Sequence, residues 1–378
     1  MRFASMILTG LRGRSPRKVD RSAPKRILIL NGGHVGDTVM ATSLVPILRS
    51  AYPDAELGFL TSSVSLMVVR NNPEIAFTHS VDHWKLNRSK QSLVSKVIHY
   101  LKMRRTVLKE IREKDYDLSL SIYPWYPDFL FLAWQAAIPH RVGFSRSIFA
   151  SFATTLADVS DDSFTPQGAR LAEILRPLGI SNRDMGKRKA SIPASDERAM
   201  REVCSLLGVE SLDQHPYRII HMGCGVEARE LPLEFWREVA TDLSSRCTLL
   251  FTGSGQRECD QIAKVIGGLN NCINACGRLS WEGFVAAVRN ARILYGMESM
   301  AGHLAAAVGT ECVFMMTGIA GVARWRPEGD RITVFTTHVS CSPCNRPAGC
   351  PEMTCLRTIR PKDILAADKC DVVQIQSQ

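Results

Sequence analysis

The chain has 378 residues, which suits two domains of about 150–200 residues better than one. Hydrophobic residues make up 45% of the sequence and charged residues 22%, so the chain can fill buried cores and is not a disordered polypeptide. The formal net charge of +10 favours an acidic partner, such as a phosphorylated substrate or an anionic membrane. We expect no nucleic-acid partner, because no recognised nucleic-acid-binding motif accompanies the charge.

The first 24 residues are basic and predict a flexible tail. Two interpretations are open: the tail rests on an anionic membrane surface, or it is an inert, solvated leader. We recognise no secretory signal and no apolar run long enough to span a bilayer. These features predict a cytoplasmic protein, peripheral on the inner membrane if its basic segments bind there, whose twelve cysteines stay as thiols or bind metal.

Predicted strands and helices alternate through the first half of the chain, which is typical of a parallel sheet covered by helices. The predicted strands are 26–31, 56–60, 76–81, 117–122 and 141–144. The predicted helices are 37–51, 64–71, 89–114 and 129–137. An aromatic loop, 123–128, follows the fourth strand.

The pattern loosens between about residues 180 and 216, and we place a domain boundary near residue 190. Ser195 is the predicted N-cap of a helix that ends at Leu207. A second alternating series follows. Its predicted strands are 217–221, 247–252, 271–276, 291–295 and 312–316. Its predicted helices are 232–243, 256–266, 281–290 and 304–308. We therefore expect two doubly wound parallel-sheet domains, 25–190 and 191–378, that face a central cleft able to bind a ligand.

Two predicted turns carry residues suited to chemistry. Residues 31–37 follow the first strand, and Asp37 begins the next helix, where it is either a cap or a general base. Residues 296–309 form a strand, turn and helix with Glu298, Ser299 and His303 in the turn. A helix N-terminus there favours the phosphates of a nucleotide-sugar, although an ordinary turn with a satisfied histidine is the plain alternative.

An ordered set of motifs resembles glycosyltransferase family 9, the bacterial lipopolysaccharide heptosyltransferases. The stretch His-Met-Gly-Cys-Gly-Val-Glu-Ala-Arg-Glu-Leu-Pro at 221–232, with Glu-Phe-Trp at 234–236, is similar to the family's "HPGAG…KRWP.E.W" segment. Further similar segments are 36–37, 51–55, 277–280, 296–309, 318 and 324–327. The resemblance covers about residues 25–360 of the sequence in the same order.

The resemblance implies a GT-B fold, made of an N-terminal acceptor domain and a C-terminal donor domain, both Rossmann-like. It also implies inverting transfer of a sugar, usually from ADP-heptose, to the lipopolysaccharide core, with no metal or other cofactor. By position, Asp37 matches the catalytic base, Arg229 stands in place of a diphosphate-binding lysine, and Glu298 stands in place of a sugar-binding aspartate. Other donor-side candidates are Gly223, Gly253, Glu258, Ser299, Gly302 and His303, and the acceptor-side candidates are Gly36, Lys102 and Arg105.

Two motifs depart from the family pattern. In the segment 221–232, Met222 replaces a proline, and Glu230 and Leu231 replace an arginine and a tryptophan. The segment Met297-Glu298-Ser299-Met300 replaces Asn-Asp-Ser-Gly, so the carboxylate is one methylene longer and a bulky side chain replaces a glycine. A second hypothesis is therefore a degenerate family member that binds a nucleotide-sugar or a glycan without transferring it.

Two further features have more than one interpretation. The basic segment 85–114 is either a solvated helix face or a surface for an anionic glycolipid acceptor. Four cysteines follow the pattern C-x2-C-x5-C-x4-C, which fits a structural metal or free thiols in an ordered loop. They are Cys341, Cys344, Cys350 and Cys355.

Overall fold

The chain divides into two compact units, Met1–Pro193 and Ala194–Gln378. The computed structural model describes residues 23–87, 89–123, 129–159, 164–186, 189–213, 215–346 and 348–367. The predicted basic tail therefore lies almost wholly outside the described residues, as do Arg88 and most of the aromatic loop.

Unit 1 is built on a six-stranded sheet in the order β3-β2-β1-β4-β5-β6, and its strands pair in parallel. Its strands are β1 Arg26–Leu30, β2 Glu56–Thr61, β3 Phe77–Ser80, β4 Leu118–Ser121, β5 His140–Phe144 and β6 Thr155–Ala157. The chain adds strands on one side of β1 and then crosses to β4 on the other side. This reversal puts a topological switch point, where such sheets bind ligands, between β1 and β4.

Helices cover the sheet of unit 1 and explain why its central strands are continuous apolar runs. They are α1 Val35–Ala41, α2 Leu44–Ala51, α3 Leu93–Glu113, α4 Leu130–Gln135, α5 Gln167–Ala172 and α6 Asn182–Gly186. Short 3₁₀ turns occupy Ser65–Val68, Ala150–Phe152 and Glu173–Leu178. Val107, Leu108 and Ile111 of α3 belong to the core that β1 and β2 also fill.

Unit 2 repeats the plan with a parallel sheet in the order β12-β11-β10-β7-β8-β9. Its strands are β7 Tyr217–His221, β8 Thr248–Phe251, β9 Cys272–Asn274, β10 Ile293–Met297, β11 Glu311–Met315 and β12 Ile332–Phe335. In the pairing of β7 with β10, Gly296 lies opposite His221. The switch point of this sheet lies between these two strands, so the loops that leave them meet at one edge.

The helices of unit 2 bury large side chains such as Trp236 against this sheet. They are α7 Glu197–Leu207, α8 Leu233–Ser244, α9 Gly255–Ile266, α10 Trp281–Asn290, α11 Met300–Val308, α12 Val322–Trp325, α13 Thr354–Arg357 and α14 Pro361–Ala367. A 3₁₀ turn covers Glu227–Arg229. Within the described ranges, no helix is both long enough and apolar enough to cross a membrane.

The predicted helix 37–51 is wrong in one respect, because it divides into α1 and α2. The hydroxyls of Thr42 and Ser43 donate to the carbonyls of Val39 and Met40 at 2.7 and 2.6 Å, which satisfies the end of α1 locally. Pro46 has no N–H to donate to the preceding turn, so the ladder of helical hydrogen bonds is interrupted at this point.

Three other boundaries also differ from the sequence prediction. The N-cap of α7 is Asp196 rather than Ser195, and its carboxylate accepts from the N–H of Ala199 at 2.8 Å. The segment predicted as helix 64–71 forms only the short 3₁₀ turn. Helix α11 begins at Met300, one turn before the predicted start at residue 304. This earlier start puts Ser299 at the N-cap position.

Candidate functional site

The loops that follow β7 and β10 bring Arg229 and Glu298 together at the switch point of unit 2. Arg229 Nη1 lies 3.7 Å from Glu298 Oε1, and the two side chains are only 18% and 15% exposed. The other oxygen, Oε2, accepts from the hydroxyl and the N–H of Thr317 at 2.7 and 3.2 Å. Glu298 therefore links three loops at this edge, and only Oε1 faces the guanidinium.

Glu258 occupies the space beside the ends of β7 and β8. A side chain on Gly223 or Gly253 would meet its carboxylate, so the Glu258 carboxylate would have to move to admit a larger residue at either position. Glu258 Oε2 accepts from the N–H of Ser254 at 2.8 Å. Burial raises the pKa of the Glu258 carboxyl, and the Ser254 N–H opposes that shift. A carboxylate in this position can accept hydrogen bonds from sugar hydroxyls.

The N-terminus of α11 offers an unused polar group. Ser299 has extended backbone angles typical of an N-cap, but its Oγ is buried and makes no hydrogen bond within the described residues. The backbone N–H groups of the first helical turn have no helical acceptor, so an anion could bind to them and to the hydroxyl.

Gly302 and His303, both predicted to bind donor, contribute mainly to packing in the structure. A side chain on Gly302 would collide with the ring of Phe314 in β11, so this glycine lets α11 lie close to the sheet. The His303 ring also contacts Phe314, with ring centroids 6.3 Å apart. Burial lowers the pKa of His303 to about 4, so the imidazole is neutral near pH 7.

The sequence analysis missed a second ion pair beside the site. Arg257 in α9 donates to both oxygens of Glu230, at 2.6 and 2.7 Å. The same carboxylate accepts from the N–H of Cys224 at 3.4 Å. The Glu230 hydrogen bond is the main reason that the pKa of Arg257 is raised. Glu230 was noted only as a departure from the family motif, and nothing in the linear sequence connects it with Arg257.

In unit 1, Asp37 lies in the first turn of α1, directly after β1. Its Oδ2 accepts from the N–H of His34 at 2.8 Å, so the predicted capping role is present. A side chain on Gly33 would collide with the Asp37 carboxyl, which shows how closely the backbone approaches it. The side-chain amide of Asn31 donates to Thr38 at 2.8 Å and holds the base of the turn. Gly36 precedes Asp37 and is partly exposed.

Tyr123 is a further residue of unit 1 that the sequence analysis did not single out as a site residue. It follows β4, the strand on the other side of the switch point from Asp37. Burial raises the pKa of the Tyr123 hydroxyl, and the negative charge of Asp37 raises it further. The charge of the Asp37 carboxylate therefore reaches the Tyr123 hydroxyl, which stays neutral near pH 7.

The other two acceptor-side candidates, Lys102 and Arg105, lie on the exposed face of α3. They belong to a helix that packs against β3 and the neighbouring core, not to the turn that carries Asp37.

The four cysteines of the predicted metal motif lie in the loop and short helix that follow β12. Burial raises the pKa of the Cys355 thiol, and Cys350, Cys344 and Cys341 add to the shift, so the four thiols are neighbours. Among the described residues, however, no three His, Cys, Asp or Glu side chains are placed to hold a metal ion. As they are placed, the four residues do not fit a thiolate metal site.

A different cysteine pair corrects the expectation that the cysteines stay as thiols or bind metal. Cys259 in α9 and Cys276, just after β9, form a disulfide with a Cα–Cα separation of 5.3 Å. The helix α9 packs against β9, and this contact brings the two Cα atoms into the range that a disulfide requires.

Comparisons with known proteins agree with the fold and the motifs. The sequence model of glycosyltransferase family 9 (heptosyltransferase) matches residues 104–353. Over 315 residues the chain is 23% identical to lipopolysaccharide heptosyltransferase 3 of Escherichia coli. The aligned region covers 79% of this chain and 85% of that protein. The structure resembles a family 9 glycosyltransferase of Veillonella parvula, with a TM-score of 0.76, 19% identity and coverage of 93% of this chain and 97% of that one. It also resembles the E. coli ADP-heptose lipopolysaccharide heptosyltransferase II, with a TM-score of 0.71, 18% identity and coverage of 91% and 97%.

Two six-stranded, doubly wound parallel sheets in one chain define the GT-B class, so the predicted fold class is confirmed. The chain belongs to glycosyltransferase family 9 and is a glycosyltransferase, which confirms the resemblance drawn from its motifs.

Proposed function

We propose that this glycosyltransferase moves a heptose from ADP-heptose to a lipopolysaccharide core or a related glycan, with inversion at the anomeric carbon. The observation that carries the proposal is the position of Arg229 and Glu298 at a topological switch point, beside the open N-terminus of α11. The relatives named for lipopolysaccharide and ADP-heptose support the choice of donor and acceptor.

In the donor unit, each group has one task. Arg229 and the N–H groups at the start of α11 bind the diphosphate, and the Ser299 hydroxyl donates to one of its oxygens. Glu298 accepts from a hydroxyl of the transferred sugar through Oε1. Glu258 accepts from the ribose hydroxyls, and Gly223 and Gly253 let the nucleotide approach the backbone.

The reaction needs one base and one stabilised leaving group. The acceptor hydroxyl oxygen attacks the anomeric carbon, the bond from that carbon to the diphosphate oxygen breaks, and its electron pair leaves with the diphosphate. Asp37 takes the hydroxyl proton late in this step, which suits a carboxylate at a helix N-terminus. Arg229 and the α11 N–H groups neutralise the charge that develops on the diphosphate, so no metal or other cofactor is required.

We further propose that the acceptor is an anionic glycolipid bound through the first unit, at the cytoplasmic face of a membrane. The basic side chains Lys102 and Arg105 are exposed and suit phosphate groups on such an acceptor.

An Asp37→Asn variant tests the catalytic proposal, because it keeps the shape of the side chain and most of its capping. We expect single-turnover transfer to fall by about 10²–10⁴-fold, while donor affinity measured by calorimetry stays near that of the wild type. Asp54→Asn, at an exposed carboxylate of the same unit, is the matched control and should leave transfer unchanged. Near-normal transfer by Asp37→Asn would leave only the capping role.

A specific observation favours the second candidate function, binding without transfer. Glu298 is already engaged by Thr317 and Arg229, and Glu230 adds another carboxylate beside the diphosphate groups. Calorimetry against a panel of nucleotide-sugars, followed by turnover assays with the tightest ligand, separates the two functions. Tight binding without turnover in the presence of a glycolipid acceptor would support the degenerate binder.

A structural metal at the four cysteines remains a prediction outside the transfer step. It is supported by the spacing of the motif and opposed by the placement of the side chains. Metal analysis of the purified protein and of Cys344→Ser tests it, because a bound metal would be close to stoichiometric and would be lost in the variant.

A further inference from the structure

Helix α3 carries large apolar side chains that the rest of the described chain leaves exposed. Leu93, Val94, Ile98 and Leu101 expose 62%, 67%, 48% and 52% of their surface. Exposed apolar side chains are ordinary when they are scattered singly. These four instead lie together at the start of one helix, which indicates a surface that is covered by a partner.

The spacing of these residues places most of them on one stripe. Val94, Ile98, Leu101 and Arg105 are four, three and four residues apart, so they follow one face of the helix. The same face continues with Lys109, which is 82% exposed and lies 3.8 Å from Glu113. The stripe is therefore apolar over the first half of α3, and its second half carries Arg105 and Lys109 before it ends at Glu113.

The opposite side of α3 is occupied by its own core. Val107 and Ile111 are buried, and Tyr100 and Met103, which precede them at helical spacing, pack against the same cluster. The exposed stripe is therefore not the face of α3 that packs against the core. Its apolar side chains can be buried only by a partner. The basic residues also exclude a membrane-crossing role, in agreement with the absence of a spanning helix among the described residues.

We propose that α3 lies in the surface of an anionic phospholipid bilayer. Val94, Ile98 and Leu101 enter the boundary between headgroups and acyl chains, while Lys102 and Arg105 bind lipid phosphates. The argument for a bilayer over a second copy of the chain is charge complementarity. Two copies with a formal net charge of +10 each repel one another, whereas an anionic bilayer attracts both the stripe and the whole chain.

The proposal rests on the proposed function in one respect. An enzyme with a glycolipid acceptor has to contact the membrane, and α3 supplies that contact. The proposal also identifies the contact surface, which the family relationship does not.

Co-sedimentation of the full chain with vesicles tests the surface. The probe is a phosphatidylethanolamine and phosphatidylglycerol vesicle, compared with a pure phosphatidylcholine vesicle. We expect the wild type to bind the anionic vesicles, and Ile98→Ser combined with Leu101→Ser to weaken that binding at least about tenfold, because two inserted aliphatic side chains are lost. Val64→Ser, a 67% exposed apolar position outside α3, is the matched control and should bind like the wild type.

Salt separates the two halves of the stripe. High ionic strength screens the basic residues, so residual binding in salt should come from the apolar residues and should disappear in the double variant. Equal thermal melting of all three proteins confirms that the substitutions leave the fold intact.

Three results would overturn the proposal. The wild type does not bind anionic vesicles, or the double variant binds them as well as the wild type does. The third is that the wild type sediments as a dimer and the double variant as a monomer. The last result would assign the stripe to a second copy of the chain. The assay contains neither donor nor acceptor, so its outcome is independent of whether Asp37 is the catalytic base.

Discussion

At the scale of the residue, Glu298 illustrates how a longer side chain changes a family motif. The extra methylene lets one carboxylate oxygen reach Thr317 after β11 while the other faces Arg229 after β7. The carboxylate is consequently fixed before any ligand arrives, and one oxygen keeps the capacity to accept from a sugar. Preorganisation of this kind favours binding, because less side-chain motion has to be lost.

Arg229 is the residue whose removal should affect donor binding most directly. Arg229→Ala removes the charge opposite the diphosphate and leaves Glu298 without its cationic neighbour. We expect donor affinity to fall about 10–100-fold, the range for a lost charged hydrogen bond, with slower transfer. Arg229→Lys should recover part of the affinity because it keeps the charge but not the two-pronged geometry.

Arg331→Ala is the control for this experiment. Arg331 forms a similar pair with Glu311 at 3.2 Å, but at the start of β11, the opposite edge of the same sheet from Arg229. Calorimetry with ADP-heptose should show an unchanged affinity for this variant. Equal losses in the two alanine variants would contradict a diphosphate role for Arg229.

The candidate site was predictable where a residue type and its place in a motif were enough. Asp37, Arg229 and Glu298 were found in this way, and the structure puts the last two together. Arg257 and Tyr123 were not found, because their relevance depends on which side chains face each other across neighbouring strands. That pairing follows from sheet order and side-chain direction, which one sequence does not specify.

At the scale of the element, the central strands were predictable because they are buried on both faces and form unbroken apolar runs. The edge strands β6 and β12 were missed, since β6 has three residues and β12 is only partly buried. The break between α1 and α2 was missed because the hydrophobic pattern continues through it. Local hydrogen bonds from Thr42 and Ser43, together with Pro46, override that pattern.

The cap of α7 provides a direct test at this scale. Asp196→Ala removes the side chain that accepts from Ala199, so we expect a loss of about 1 kcal/mol in the free energy of unfolding. Ser195→Ala, one position earlier, should cost much less and serves as the matched control. Urea denaturation of the two variants measures the difference. A larger loss of unfolding free energy for Ser195→Ala would indicate that Ser195, as predicted from the sequence, is the cap.

At the scale of the whole molecule, both units place their candidate site residues beside the switch point of the sheet. In unit 1, Asp37 and Tyr123 lie on the loops that follow the two strands flanking the switch point. In unit 2, Arg229 and Glu298 occupy the corresponding loops. Repeated use of this position is expected, because the loops that leave the two neighbouring strands there run in opposite directions and leave a crevice between them.

Buried histidines in both units should make the stability of the whole chain fall in acid. Burial lowers the pKa values of His83, His221 and His303 from 6.5 to about 4. Between these values the unfolded chain binds protons that the folded chain does not, so the unfolded state gains stability as the pH falls. The stability contribution is complete above pH 6.5 and is lost as the pH falls towards 4.

Unfolding in urea at pH 7 and at pH 5 measures this effect, with an expected loss on the order of 1–3 kcal/mol for each histidine at the lower pH. His303→Asn removes one titrating group and should therefore lose less stability between the two pH values than the wild type. The exposed His215 is the control, and His215→Asn should follow the wild type. If His303→Asn and the wild type lost equal stability on acidification, His303 would not be a histidine that folding keeps neutral.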